Sequence, residues 1–188
     1  GHLLISYQDG PDGGTTVEGD VTVQCLDVAT GKPRYLGSEG FSRALVPENG
    51  IRAWTMSLEV SSTDEVWVAW EQVLEYEDTD RTRAAVARYD AQENRWELVH
   101  EVGLGQEVWG SGINLKLDSK DRPYVACFSY ATDARGAGGM AVHVLRLDDE
   151  GSRFERVGPP CGVEDHVLVS DEAGYREICA FELDQDDV

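Results

Sequence analysis

Lysine is nearly missing from this chain: it occurs only as Lys32, Lys116 and Lys120, and Lys and Arg together number 16 against 36 Asp and Glu. The resulting net charge of −20 excludes a basic footprint for a phosphate backbone, so no nucleic-acid partner is expected. Cysteine is equally sparse. Cys25, Cys127, Cys161 and Cys179 form no CxxC pair and no zinc-ligand spacing, which argues against a structural metal. Cys25, Cys127 and Cys179 sit in apolar strand-like runs and read as buried thiols, whereas Cys161 follows Pro159-Pro160 in a loop. No apolar run reaches the roughly 18 residues of a membrane span. The opening Gly1-His2-Leu3-Leu4-Ile5 has no basic leader, which favours the cytoplasm over secretion. Helix signals are almost absent, and a GxSxG elbow and a phosphate-binding glycine motif are missing.

An internal repeat is present. Val86-Ala87-Arg88-Tyr89-Asp90 matches Val144-Leu145-Arg146-Leu147-Asp148, and Trp96-Glu97-Leu98-Val99 matches Phe154-Glu155-Arg156-Val157, both at a spacing of 58 residues. Ser57 to Val60 and Val66 to Ala69 match Asn114 to Leu117 and Pro123 to Ala126 at a spacing of 57. Leu4 to Gln8 and Val21 to Asp27 align with Trp67 to Glu71 and Ala84 to Asp90 at 63. A long fixed period filled with short alternating strands is the mark of a propeller or another β-array. The 188 residues are read as one domain.

Each repeat divides into four strands. Strand A covers Met56 to Ser61 and Ile113 to Asp118; strand B, Glu65 to Trp70 and Pro123 to Ser129; strand C, Ala84 to Tyr89 and Ala141 to Leu147; strand D, Arg95 to Glu101 and Arg153 to Val157. Short polar turns join A to B and C to D, as in tight hairpins. The B-to-C connections are long: Gln8 to Asp20, Glu71 to Arg83 and Tyr130 to Gly139. In an antiparallel meander they emerge on the same edge as the D-to-A connections, where binding residues on a rigid scaffold usually sit.

The phrase Leu117-Asp118-Ser119-Lys120-Asp121-Arg122-Pro123-Tyr124-Val125-Ala126, followed by a C strand ending in Asp and a D strand opening near an aromatic residue, resembles bacterial β-propeller repeats of the BNR-like and lectin-like kind. That resemblance implies four-stranded blades around a central channel, with ligands held at the loop-rich face. Sialidase Asp-boxes carry Ser-x-Asp-x-Gly-x-Thr-Trp, and Ser61-Ser62-Thr63-Asp64-Glu65-Val66-Trp67 lacks the glycine and the threonine. Sialidase chemistry is therefore not carried over.

The expected fold is an all-β, propeller-like array of about three blades with both termini in mid-blade, thirteen strands in all. Closed propellers use four to eight blades, so a homodimer that completes the blades is expected. The expected function is non-catalytic binding of a carbohydrate or a peptide at the loop-rich face. Trp54 and Trp109 would stack on the ligand, Arg52, Glu71, Asp133 and Arg135 would fix it, Tyr76 and Tyr130 would form the rim, and His166 falls on the same face. Packing of the two Trp residues between sheets is the competing reading. Glu71 and Asp133 could alternatively act as a glycosidase pair, and a pure assembly role is the third class. Asp9, Asp12, Glu18 and Asp20 carry oxygen ligands suited to Ca²⁺, yet their spacing matches neither an EF-hand nor a glycine-aspartate nonapeptide and a solvated turn is preferred; no cofactor is expected.

Overall fold

The fold was obtained as a computed structural model, which describes residues 1–9, 19–45, 52–73, 82–102, 112–132, 138–158 and 182–183. Among the described residues, eleven strands and one single-turn helix run in the order β1 (His2–Asp9), β2 (Asp20–Asp27), β3 (Lys32–Tyr35), α1 (Ser42–Leu45), β4 (Arg52–Val60), β5 (Val66–Val73), β6 (Thr82–Asp90), β7 (Arg95–Val102), β8 (Asn114–Leu117), β9 (Pro123–Thr132), β10 (Gly138–Leu147) and β11 (Phe154–Arg156). They form three antiparallel meanders: a three-stranded sheet β1-β2-β3 and two four-stranded sheets, β4-β5-β6-β7 and β8-β9-β10-β11. The protein is all-β, and the sheets follow the repeat. The first sheet holds the B, C and D equivalents; the expected last two strands, between 167 and 181, lie outside the described residues.

The sheets stack because the middle one is apolar on both faces, and a strand buried on both sides reads as a continuous apolar run rather than an alternating one. Along β5, Val66, Val68 and Trp70 enter a core shared with the first sheet through Val21, Val23 and Cys25. Trp67 and Ala69 point the other way, into a second core with Leu115, Val125, Cys127, Leu145 and Leu147. The period-2 geometry of a strand makes this division automatic. Ala84, Ala85 and Ala87 on β6 are fully or almost fully buried, and their small side chains leave room for Trp67 and Trp70.

Leu36, Phe41 and Leu45, which follow β3, seal the first core. Leu36 and Phe41 donate their backbone N–H groups to the carbonyls of Val23 and Val21, so this segment continues the sheet edge beyond β3. Phe41 stacks on Trp96 at 4.6 Å and meets Trp70 edge-on at 6.0 Å. Trp96 donates its indole N–H to the Leu36 carbonyl at 2.7 Å.

The repeat extends to backbone detail. Asp27 accepts from the N–H groups of Ala29 and Thr30, and Asp90 from those of Gln92 and Glu93. Asp148 accepts from Ser152 and Arg153 in the third hairpin. Each is an Asx-type cap that orders a hairpin. The C-to-D turns place Gly31 and Asn94 at equivalent left-handed positions (φ 66° and 51°), Gly151 is left-handed one residue earlier in the third turn (φ 67°), and the A-to-B turns place Asp64 and Asp121 at equivalent left-handed positions (φ 65° and 61°).

Candidate functional site

Adjacent sheets stack in the same direction, which gathers their long connections at one end. The backbone N–H of Ala53 on β4 donates to the Gly19 carbonyl just before β2. Thr55 Oγ1, further along β4, lies 3.4 Å from the N–H of Gly112, two residues before β8. At the opposite end, Ser62 donates through its N–H and its hydroxyl to Asp121, tying the two A-to-B turns together. The C-terminal ends of β1, β5 and β9, the start of β4 and the approach to β8 therefore share one edge.

The strands run further toward that edge than their sequence pattern suggests. Glu71, expected at the start of a loop, is the sixth residue of β5 and pairs with Ala84. Tyr130 lies in β9 opposite Met140, and Asp9 and Asp20 face each other as the last pair of β1 and the first of β2. Arg52 and Trp54 belong to β4, opposite Val73 and Glu71, rather than to a connection. The cause is ladder pairing, which lets one strand hold its neighbour extended where composition favours a loop. For Arg52, Trp54 and Tyr130 the structure describes the backbone position. Tyr76, Trp109, Asp133, Arg135 and His166, together with Asp12 and Glu18, lie outside the described residues.

Glu71 is the most informative of these residues. It is only 2% exposed, and an ionised carboxylate in such a place needs polar company. Thr55 provides part of it, donating its hydroxyl to Oε2 at 3.3 Å. A β-bulge between Trp54 and Met56 lets Thr55 reach this position, since a bulge re-aims the side chain of its extra residue. Gln72, equally buried, points into the other core and accepts from the Trp70 indole N–H at 2.9 Å.

Across the second core, Cys127 and His143 sit opposite one another on β9 and β10, both buried. Burial pushes the Cys127 thiol up to about 12, with the Glu71 charge adding to the effect; this thiol is a packing group, not a nucleophile. His143 is held below its ordinary value by burial first and by the Arg156 cation second. Glu71, Thr55, Cys127 and His143 thus make a polar seam between the second and third sheets, directly beneath the loop-bearing edge. Thr55, Gln72 and His143 were not among the expected site residues. Their signal is non-local, because each depends on which sheet lies across the interface.

No metal centre is assembled among the described residues. The Asp20 carboxylate is engaged within the protein, accepting from the Val21 N–H and the Ser42 hydroxyl. Neither a protein-family model nor a curated protein matches the chain.

Proposed function

We propose that the chain is a non-catalytic binding protein of β-propeller-like construction, whose loop-rich edge holds a carbohydrate or a peptide. The observation that carries this reading is the asymmetry of the sheet stack. At one end, Asp27, Asp90, Asp118 and Asp148 close short turns with backbone hydrogen bonds. At the other lie the strand ends from which the B-to-C and D-to-A connections leave, beside a buried polar seam. Rigid scaffolds of this kind bind through the connections they present together. The position of Glu71 favours binding over glycosidase chemistry, since a carboxylate enclosed within β5 is poorly placed to protonate a bound sugar.

Wild-type protein and a Trp54→Ala/Trp109→Ala variant, screened by thermal shift against a panel of oligosaccharides and short peptides, test the reading. A saturable stabilisation by one ligand class without turnover, lost in a variant that stays folded, is the expected result. Binding that survives in the folded variant removes the two Trp residues from the site, and product formation replaces the binding reading with an enzymatic one.

A further inference from the structure

Lys116, Arg122 and Arg153 each sit between two carboxylates. Lys116 on β8 meets Glu59 of β4 at 2.9 Å and Glu182 at 3.5 Å. Arg122 meets Asp118 at 2.7 Å and Asp149 at 3.6 Å, and Arg153 meets Glu155 at 2.6 Å and Asp148 at 3.6 Å. Two negative charges on one positive charge leave each set anionic, so the surface stays negative even where its cations lie. Glu93 and Glu150, at exposed hairpin turns, have no cation against them among the described residues.

Added salt acts on such a surface with opposite signs. It weakens the ion pairs, which stabilise the fold, and it weakens the repulsion among the surplus carboxylates, which opposes folding because the compact state holds them closer than the unfolded chain does. The ion pairs are the smaller side of this balance. Their cations Lys116, Arg122 and Arg153 are 30%, 25% and 67% exposed, and pairs so open to water contribute little. The net charge of −20 is the larger side. At about 10 mM salt the Debye length is about 30 Å, beyond the roughly 16 Å radius of gyration of a chain this long, so every carboxylate feels the others. At about 1 M it is about 3 Å, and only touching charges remain coupled. The cores leave little reserve against that cost: Ala53, Ala69, Ala84, Ala85 and Ala87 fill the sheet interfaces, where a methyl buries less apolar area than Leu or Ile would.

We propose that ionic strength controls the stability of this fold: monovalent salt stabilises the folded chain by screening its surplus carboxylates, and low salt loosens it. The shared cations concentrate the effect, because each holds two like charges beside one another. At Lys116 the repulsion acts between elements, since Glu59 belongs to the second sheet, Lys116 to the third, and Glu182 to a segment far along the chain.

Urea unfolding of the full chain tests this, because urea carries no charge and screens nothing. The wild-type midpoint should rise by about 1 M urea between about 10 mM and about 1 M NaCl, with most of the rise complete by about 0.5 M, where the Debye length is already about 4 Å. KCl should act as NaCl does, since screening depends on charge alone. Glu150→Lys should raise the midpoint at low salt and lose that gain at high salt. Glu93→Lys, in the second sheet, should do the same and carries the test if the first variant fails to fold. A wild-type midpoint that stays flat or falls with salt overturns the proposal. So does a rise confined to salt above about 1 M and larger in sulfate than in chloride of equal ionic strength, which marks strengthened apolar burial. Gains in both variants that persist unchanged at high salt overturn it as well.

Discussion

Phe41 shows how much of this fold hangs on single aromatic contacts. It is 3% exposed and lies between Trp96, on which it stacks, and Trp70, whose ring it meets edge-on. Its backbone N–H is also fixed to the Val21 carbonyl. Phe41→Ala removes the plug of the first core and should cost about 3–5 kcal/mol, read as a lower urea midpoint with an unchanged slope. Phe41→Leu, which keeps most of the volume, should cost less than half as much. The neighbouring Gly37 is constrained in the opposite sense: its φ is +73°, and a Cβ there would lie 2.8 Å from Trp96 Cδ1. Neither constraint was legible in the sequence, because both depend on Trp96, a residue of the next repeat. Cys25 and Cys127 were legible, and both are buried, since an apolar alternating context is a local property.

The hairpins are the elements whose design the sequence discloses best. The equivalence of Asp90 and Asp148 was visible as a repeated phrase, and the structure gives it a cause: these residues, with Asp27, cap the C-to-D turns. The N–H groups of Glu93 and then Gln92 hold the Asp90 carboxyl below the usual carboxylate value, those of Thr30 and Ala29 do the same for Asp27, and that of Ser152 for Asp148. Loop boundaries were less legible. Glu71, Trp54 and Tyr130 carry charge or aromatic character that reads as loop, but the ladder opposite them keeps them in strands, and the bulge at Thr55 leaves no local signature. The left-handed turn positions yield a paired prediction. Gly31 has no neighbour within 4 Å of a would-be Cβ, so Gly31→Ala isolates the backbone penalty and should destabilise by about 1–2 kcal/mol. Asp64→Gly relieves the same conformation (φ 65°) and should stabilise by up to about 1 kcal/mol. Thermal unfolding of the two variants should show midpoints moving in opposite directions.

At the scale of the molecule, two classes of group make stability depend on acid in separate windows. The capping carboxylates Asp27, Asp90 and Asp148 all bind protons less readily folded than unfolded, their ordinary value being 3.8. Asp118 behaves likewise: burial raises its value, but the Arg122 and Lys120 N–H groups and the Arg122 guanidinium outweigh it. The contribution of these carboxylates is complete above pH 4 or so and is lost as pH falls through their depressed values. His143 also protonates less readily folded, from an ordinary value of 6.5. Its contribution is complete above that value and declines as pH drops below it. Stability should therefore begin to fall near pH 6.5 and fall again below pH 4. His143→Gln should flatten the first decline and leave the second, as measured by urea midpoints between pH 8 and pH 3.

The proposed ligand meets the protein at the loop-bearing edge of the stack, and backbone amide NMR locates that contact. Titrating the ligand class that stabilises the wild type into ¹⁵N-labelled protein should shift amides at the loop-bearing edge, among them Asp20, Ala53, Gln72 and Ala84. The turn amides of Ala29, Gln92, Lys120 and Ser152 should stay in place. Shifts confined to those turns, or no shift at saturating ligand, would contradict the assignment of the loop-rich edge as the binding face.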